Sequence, residues 1–290
     1  MAASLWAANR PIPPRQAVTI LASFALVGLV LSLRPRRGVL HGRLMRAMGV
    51  NLAAVRGDAP TVWLVAHIDS KWQPVSMLAR VAGVLLLAGG FIGVIVAAAM
   101  APGFAPVALV VTWLGAVPLM LSVAGVRNHG ALDNASGVAA VLDAASLVPA
   151  DCPLGVMITD SEELALAGAE AWRSEDKPVV ALNCDSIDDE GPLVAMYTGA
   201  APDRILSSLR RAASERNEPL RVMRLVPGIL TDSVALARAG WPTVTLSRGS
   251  LRTLRRIHTS RDTLEHMSGR GIDGAAHVLA RTAMELAECK

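Results

Sequence analysis

The stretch Thr61-Val62-Trp63-Leu64-Val65-Ala66 leads directly into His67-Ile68-Asp69-Ser70. Its first six residues form a short β-rich apolar run, which predicts a strand. The His and Asp that follow lie at the carboxyl end of that strand, where a parallel α/β sheet forms its binding sites. We therefore expect a parallel sheet with a site that contains His67 and Asp69.

Four later segments place a His or a carboxylate in the same way, at the end of an apolar run or beside a helix start. They are Asp133-Asn134-Ala135-Ser136-Gly137, Ser161-Glu162-Glu163-Leu164, Asn183-Cys184-Asp185 and His258-Thr259-Ser260-Arg261-Asp262. Taken alone, a Glu-Glu pair at a helix start usually compensates the helix dipole, and Asp-Asn-x-Ser-Gly is often an N-capped turn. In order and at strand ends, the five segments together predict the ligands of two metal ions. Imidazole and carboxylate suit zinc, although cobalt or manganese would also fit.

The rest of the sequence alternates between strand and helix patterns. The predicted strands are residues 61–66, 154–159, 179–183, 220–226 and 242–246. The predicted helices are residues 136–147, 162–172, 202–217, 233–239 and 271–289. This alternation predicts an α/β fold with a mostly parallel central sheet covered by helices.

The composition predicts membrane segments in addition. Of the 290 residues, 52% are apolar and only 18% are charged, and the mean hydropathy is +0.43, which is high for a soluble enzyme. Residues 17–33, 81–100 and 107–126 carry no charge, and a run of 20 helical residues spans about 30 Å. We expect an N-terminal transmembrane helix and, across a short Pro/Gly linker, a transmembrane helical hairpin. The alternatives are buried helices of a soluble core and, for residues 17–33, a cleaved signal peptide.

The ordered polar segments resemble the motifs of the M28 family of zinc aminopeptidases. The matching stretches are Ala66-His67-Ile68-Asp69-Ser70, Gly130-Ala131-Leu132-Asp133-Asn134-Ala135-Ser136-Gly137, Glu162-Glu163-Leu164, Asn183-Cys184-Asp185 and His258-Thr259-Ser260-Arg261-Asp262-Thr263. The resemblance covers residues 60–285, apart from the predicted hairpin. Thr231-Asp232-Ser233 stands where the family usually has Ser-Asp-His, and its third position departs from that pattern.

The resemblance implies a role for each of these residues, with two zinc ions (Zn2+) per chain. Asp133 would bridge the two ions. His67 and Asp185 would complete one site, and Glu163 and His258 the other. Glu162 would act as the general base toward a metal-activated water. Asp69 is placed to orient the ligand imidazole through its other nitrogen, and Asp232 and Asp262 are candidates for supporting carboxylates.

These roles imply a membrane-anchored metallopeptidase, an aminopeptidase that hydrolyses N-terminal peptide bonds. Two alternatives remain open. One is a hydrolase or a glutaminyl cyclase-like enzyme that acts on a non-peptide amide, and the other is a non-catalytic membrane receptor or scaffold. The predicted organisation is an N-terminal segment with a transmembrane helix (residues 1–37), two parts of a peptidase domain (38–78 and 127–290) and the inserted hairpin (79–126).

Charge and cysteine content indicate the partners and the compartment. The net charge of +4, with scattered arginines and few aromatic residues, gives no support for nucleic-acid binding. The expected partners are a peptide substrate and the lipid bilayer. An odd number of cysteines without regular spacing argues against disulfides and fits a reducing compartment. Arginines are more frequent on the catalytic side of the predicted spans, which predicts a multi-pass protein with a cytoplasmic catalytic domain. Side-chain preference and oligomeric state are not predicted by the sequence.

Overall fold

The computed structural model describes residues 49–121, 129–172, 179–226 and 229–289. Contacts divide these residues into two units. The hairpin unit is Arg80–Leu121, and the sheet unit comprises the remaining described residues. The predicted span at residues 17–33 and the last part of the predicted span at 107–126 lie outside the described residues, so those expectations stay predictions.

The sheet unit is built on seven strands in its described residues. In chain order they are β1 (Leu52–Arg56), β2 (Val62–His67), β3 (Leu154–Thr159), β4 (Val180–Ile187), β5 (Leu193–Tyr197), β6 (Leu220–Arg224) and β7 (Thr243–Arg248). They form one sheet in the order β1-β3-β2-β4-β7-β5-β6. The neighbouring strands β3, β2, β4 and β7 are parallel to one another. Strand β1 pairs antiparallel with β3, and β5 pairs antiparallel with β7.

The sheet is therefore mixed, with the expected parallel strands at its centre. The sequence did not predict β1 and β5, which supply both antiparallel pairs. Strand β1 lies at an edge, and its apolar residues Leu52 and Val55 are exposed, so it lacks the alternation that marks a half-buried strand. Strands β2, β3, β4, β6 and β7 correspond to the five predicted strands.

The hairpin unit consists of two apolar helices. Helix α1 (Met77–Met100) and helix α2 (Ala105–Met120) are joined by a tight turn at Pro102–Phe104. The 24 residues of α1 extend about 36 Å. By length and composition, α1 is the one described helix able to cross a membrane, while α2 is a shorter apolar helix. A Cβ on Gly83 would lie 2.9 Å from the carbonyl oxygen of Gly115, and a Cβ on Gly115 would overlap the backbone of Leu87. Glycine at these positions lets the two helices approach closely.

The sheet unit places helices on both faces of its sheet. Its described helices are α3 (Ser136–Leu147), α4 (Ala167–Ala171), α5 (Asp203–Glu215), α6 (Asp232–Arg238), α7 (Leu251–Arg256) and α8 (Arg270–Leu286). One face of the sheet packs against α3, α5 and α8 in a single large core. The other face packs against α6 and a row of tryptophans, Trp63, Trp172 and Trp241, whose neighbouring rings meet edge to face at 5.0 and 4.8 Å. Successive residues of β2 alternate between these two cores, as the pleat of a strand requires.

Two predictions about the sheet unit are wrong in detail. The helix expected at residues 162–172 is a turn followed by the short α4, so Glu162 and Glu163 lie in the turn after β3 rather than at a helix start. The structure also joins Cys152 to Cys289 in a disulfide, with their Cα atoms 5.6 Å apart. Because α8 packs on α3, it brings two cysteines together that are 137 residues apart in sequence, a proximity that spacing cannot reveal. The free Cys184 is buried.

Candidate metal centre

The first side of the candidate centre lies where β2 and β4 end. His67 is the last residue of β2, and its Nε2 atom lies 3.2 Å from Asp133 Oδ1 and 3.8 Å from Asp185 Oδ1. Asp185 lies in β4, close to an irregularity in the pairing of β4 with β7 between Cys184 and Ile187. Parallel strands thus bring the imidazole and this carboxylate to the same edge of the sheet.

The second side of the centre is formed by three loop residues. His258 follows α7, and its Nε2 atom lies 2.9 Å from Asp133 Oδ2 and 2.9 Å from Glu163 Oε1. Asp133 lies in the irregular turn before α3. One oxygen of its carboxylate faces each imidazole, which is the arrangement that a bridging ligand requires.

The structure brings together all five predicted ligands and the predicted base. Donor atoms converge in two groups, and within each group they lie within 4.8 Å of one another. The His67 group contains His67, Glu162 and Asp185, and the His258 group contains Asp133, Glu163 and His258. Glu162, predicted only as the base, therefore lies among possible ligand atoms.

The chemistry of these groups fits divalent cations. Glu163 Oε1 is buried and faces His258 Nε2 at 2.9 Å, which makes an ion pair when the imidazole is protonated. A cation held with His258 would take the place of that proton and balance the buried carboxylate. Nitrogen and carboxylate donors in small groups are the ligand set that zinc prefers in proteins.

Asp69 lies beside the other ring nitrogen of His67, as expected, and it also contacts the turn after β3. The atom nearest to His67 Nδ1 is the backbone carbonyl oxygen of Asp69, at 3.0 Å, while its carboxylate lies 3.5 Å away. The two carboxylate oxygens accept hydrogen bonds from the backbone N–H groups of Glu162 and Glu163, at 2.9 and 3.0 Å. Asp69 therefore holds the turn that carries both glutamates, as well as the imidazole of His67.

Comparison with known families shows which family has a sequence pattern that matches this chain. Residues 51–283 match the model of peptidase family M28, and this region includes every residue of the candidate centre. The chain belongs to peptidase family M28.

Solved structures share the fold of this M28 chain. The aminopeptidase from Aneurinibacillus sp. strain AM-1 is 18% identical, with a TM-score of 0.55 over 81% of this chain and 47% of that chain. Legionella pneumophila LapA aminopeptidase is 16% identical, with a TM-score of 0.56 over 82% of this chain and 54% of that one. BSAP, a zinc aminopeptidase from Bacillus subtilis, is 18% identical, with a TM-score of 0.54 over 81% and 49%.

At these identities the likeness shows the fold alone. The M28 chain spans about half the length of the solved aminopeptidases that it matches. A search among curated proteins returned no match.

The charges of the M28 centre depend strongly on one another. Burial lowers the pKa of His67, but the negative charge of Glu162 and hydrogen bonds with neighbouring carboxylates outweigh it, so this pKa lies well above its ordinary value. Burial also lowers the pKa of His258, but the carboxylates of Asp133 and Glu163 raise it more, so the net shift is upward. Burial raises the pKa of the Asp133 carboxyl, yet the two imidazoles lower it more, and the net shift is downward. In the absence of a cation, the raised pKa values favour the protonated imidazoles, and a metal ion would compete with these protons.

Glu162 has the environment expected of a base. It is buried, and burial raises the pKa of its carboxyl well above the ordinary value, with nearby negative charges adding to the effect. A carboxylate whose pKa is shifted toward neutrality is suited to accept and return a proton.

The two predicted supporting carboxylates have different partners. Asp262 accepts hydrogen bonds from the backbone N–H groups of Leu132, at 2.5 Å, and Asp133, at 3.2 Å, so it fixes the residue between the two imidazoles. Asp232 accepts a hydrogen bond of 2.5 Å from the hydroxyl of Thr159, and burial raises its pKa to about 6.

Some contacts of the centre carry no sequence signal. The hydroxyl of Ser233, at the position that departs from the family pattern, is buried and lies 2.9 Å from Thr231 Oγ1 and 2.6 Å from Thr245 Oγ1. The loop of His258 is fixed by Gln73, whose backbone N–H donates to the His258 carbonyl at 2.7 Å. Lys71 forms an ion pair with Glu163 Oε2. These contacts could not be predicted from the sequence, because no local pattern of residues indicates them.

Proposed function

We propose that this M28 chain is a membrane-anchored dinuclear zinc metallopeptidase that removes residues from the N-termini of peptides. The observation that carries the proposal is the position of Asp133, with one carboxylate oxygen 3.2 Å from His67 and the other 2.9 Å from His258. Zinc at both sides would share this carboxylate, as in other two-metal hydrolytic sites.

The proposed chemistry assigns a task to each side chain. When bound, the metal ions supply Lewis acidity for the attacking water and for the scissile carbonyl group. Glu162 takes a proton from the attacking water and returns it to the departing amine. Asp69 keeps Glu162 in place through the backbone N–H group at 2.9 Å, and Asp262 keeps Asp133 between the imidazoles.

The proposed anchor is the hairpin unit. Residues 81–121 contain no Asp, Glu, Lys or Arg. The most apolar 18 residues of the candidate span Met77–Ala97 have a mean hydropathy of 2.2, and only 17% of them are buried. Apolar helices of this kind satisfy their own backbone hydrogen bonds and are stable in a lipid environment.

The catalytic side is proposed to face the cytoplasm. Arg34, Arg36 and Arg37 follow the first predicted span, and this positive flank supports that orientation. The disulfide between Cys152 and Cys289 argues for the opposite side, because disulfides persist in oxidising compartments. Alkaline phosphatase fused to the C-terminus is expected to be inactive. High phosphatase activity would reverse the orientation and leave the peptidase proposal intact.

The peptidase proposal is tested by Glu162→Gln in the full-length protein. We expect the variant to keep about two zinc ions per chain and to lose turnover of aminoacyl fluorophores by about 10²- to 10⁴-fold. An exposed helix residue, Asp143→Asn, is the matched control. Full turnover by Glu162→Gln would exclude Glu162 as the base.

The wild-type protein separates the alternative functions. It should not cleave an aminoacyl fluorophore whose amino group is acetylated, because an aminopeptidase requires a free amino group. One zinc ion per chain would favour the cyclase-like reading, and no zinc would favour a non-catalytic scaffold.

A further inference from the structure

Lys71 is the one lysine in the described part of the chain, and it lies beside the candidate metal centre. It follows His67 by four residues, in the loop after β2. Its ammonium group forms an ion pair with Glu163 Oε2. The Lys71 side chain is 17% exposed and that of Glu163 is 7% exposed, so little solvent screens this pair. A fixed positive charge next to a proposed cation ligand needs a physical account.

The two oxygens of Glu163 have different surroundings. Oε1 faces His258 Nε2 at 2.9 Å, whereas Oε2 is paired with Lys71. Oε1 is therefore the oxygen that faces a cation in the His258 group. Lys71 makes Glu163 a ligand that offers one oxygen, with an ammonium group on its other side.

The described ion pair of Lys71 is with Glu163, a carboxylate of the His258 group. Like charges separated by only a few ångströms repel strongly when water is largely excluded. The ammonium group also draws electron density from Glu163, which makes this carboxylate a weaker donor.

We propose that Lys71 tunes the metal centre by lowering the zinc affinity of the His258 group relative to the His67 group. This inference rests on the proposed function. It makes Lys71 a positioning residue that acts through Glu163, and it predicts that the two zinc ions bind in sequence. The His67 group fills first, and the ion of the His258 group remains exchangeable.

The test is a zinc titration of the metal-free, full-length protein against a competing chelator, with bound zinc counted by mass spectrometry. Wild-type protein should bind two ions in steps that differ by about tenfold or more in dissociation constant. Lys71→Met should tighten the weaker step by about tenfold and leave the stronger step within about twofold. Lys71→Arg retains the charge and should restore the wild-type separation.

The control variant is Arg221→Met, which removes one positive charge from the exposed edge strand β6. It should leave both steps unchanged, and circular dichroism compares the fold of all variants. Equal affinities in the wild type would overturn the inference without any variant. The inference would also be overturned if Lys71→Met left the dissociation constant of the weaker step unchanged or increased it.

The outcomes also separate this inference from the function on which it rests. Two bound zinc ions and peptide turnover, without an effect of Lys71→Met, reject only the role of Lys71. Wild-type protein that binds no zinc rejects both.

Discussion

The hairpin unit and the sheet unit use apolar residues in opposite ways. In the sheet unit, Leu64 and Val65 of β2 are fully buried between two layers of helices. In the hairpin unit, Ile92 is 60% exposed and Trp113 is 63% exposed. Large apolar surfaces are rare on proteins that face water. The hairpin unit thus exposes the kind of residue that the sheet unit buries, which is what the proposed membrane anchor predicts.

The two units also differ in their content of charged residues. The stretch from residue 81 to 121 has no acidic or basic residue, whereas the sheet unit buries His67, Asp133 and Glu162 together. Buried charges are tolerated when they are paired or bind metal ions.

The largest effect is expected from Asp133→Ala in the sheet unit. This change removes the carboxylate shared by the two imidazoles, so we expect zinc binding to fall and kcat/KM to drop by about 10³-fold or more. Zinc content and aminoacyl-fluorophore turnover measure the two effects. Asp143→Ala, on the exposed side of α3, should behave like the wild type. Normal zinc content in Asp133→Ala would contradict the bridging role.

Placing a charge in the hairpin unit tests its solvent directly. Ile92→Lys should cost about 2.5 to 3.5 kcal/mol if its helix lies in hydrocarbon, and carbonate-resistant membrane association should decrease. Leu142→Lys is the matched change on an exposed helix position of the sheet unit, where an effect within about 0.5 kcal/mol is expected. Equal tolerance of both lysines would remove the distinction between the units.

A smaller effect is expected inside the hairpin, where its helices meet. Gly115→Ala would place a Cβ against the backbone of Leu87, so we expect a loss of about 1 to 3 kcal/mol in detergent unfolding. Gly89 has no atom within 4 Å of the corresponding Cβ position. Gly89→Ala should therefore be neutral or slightly stabilising. Equal free energies of unfolding for the two variants would contradict the close approach of α1 and α2 at Gly115.

The smallest effect concerns protons, and it belongs to the sheet unit alone. The pKa values of His67 and His258 are raised in the metal-free protein, so both imidazoles are protonated below these raised values and lose the proton above them. Zinc competes with these protons, and its affinity should therefore increase with pH. Calorimetry in two buffers of different ionisation enthalpy should show release of about one proton or more at pH 7. A release of zero would contradict the pKa shifts.

The convergence of the candidate residues of the sheet unit was predictable from their types, their order and the resemblance to the M28 motifs, whereas their role as metal ligands stays a prediction. His67 and Asp185 lie where strands end, and parallel strands of one sheet end at the same edge. Helix α3 has the predicted bounds because its apolar spacing and preceding turn are local signals. The apolar, charge-free character of the hairpin was equally visible in the sequence.

Contacts between distant segments could not be predicted. The carboxylate of Asp69 meets N–H groups 93 and 94 residues further along the chain, and no local pattern encodes that approach. Strand β5 was missed because its short apolar run, Leu193–Tyr197, gives no clear period. The pairing of Lys71 with Glu163 and that of Cys152 with Cys289 likewise depend on the finished fold.

The bond between Cys152 and Cys289 encloses four of the six residues of the candidate centre, Glu162, Glu163, Asp185 and His258, in one covalent ring. A single protease cut anywhere between the two cysteines would open that ring without releasing a fragment. On a denaturing gel, the cleaved protein would run as one band until a reductant separates the pieces. A single cut between the two cysteines therefore cannot detach any of these four residues from the rest of the protein.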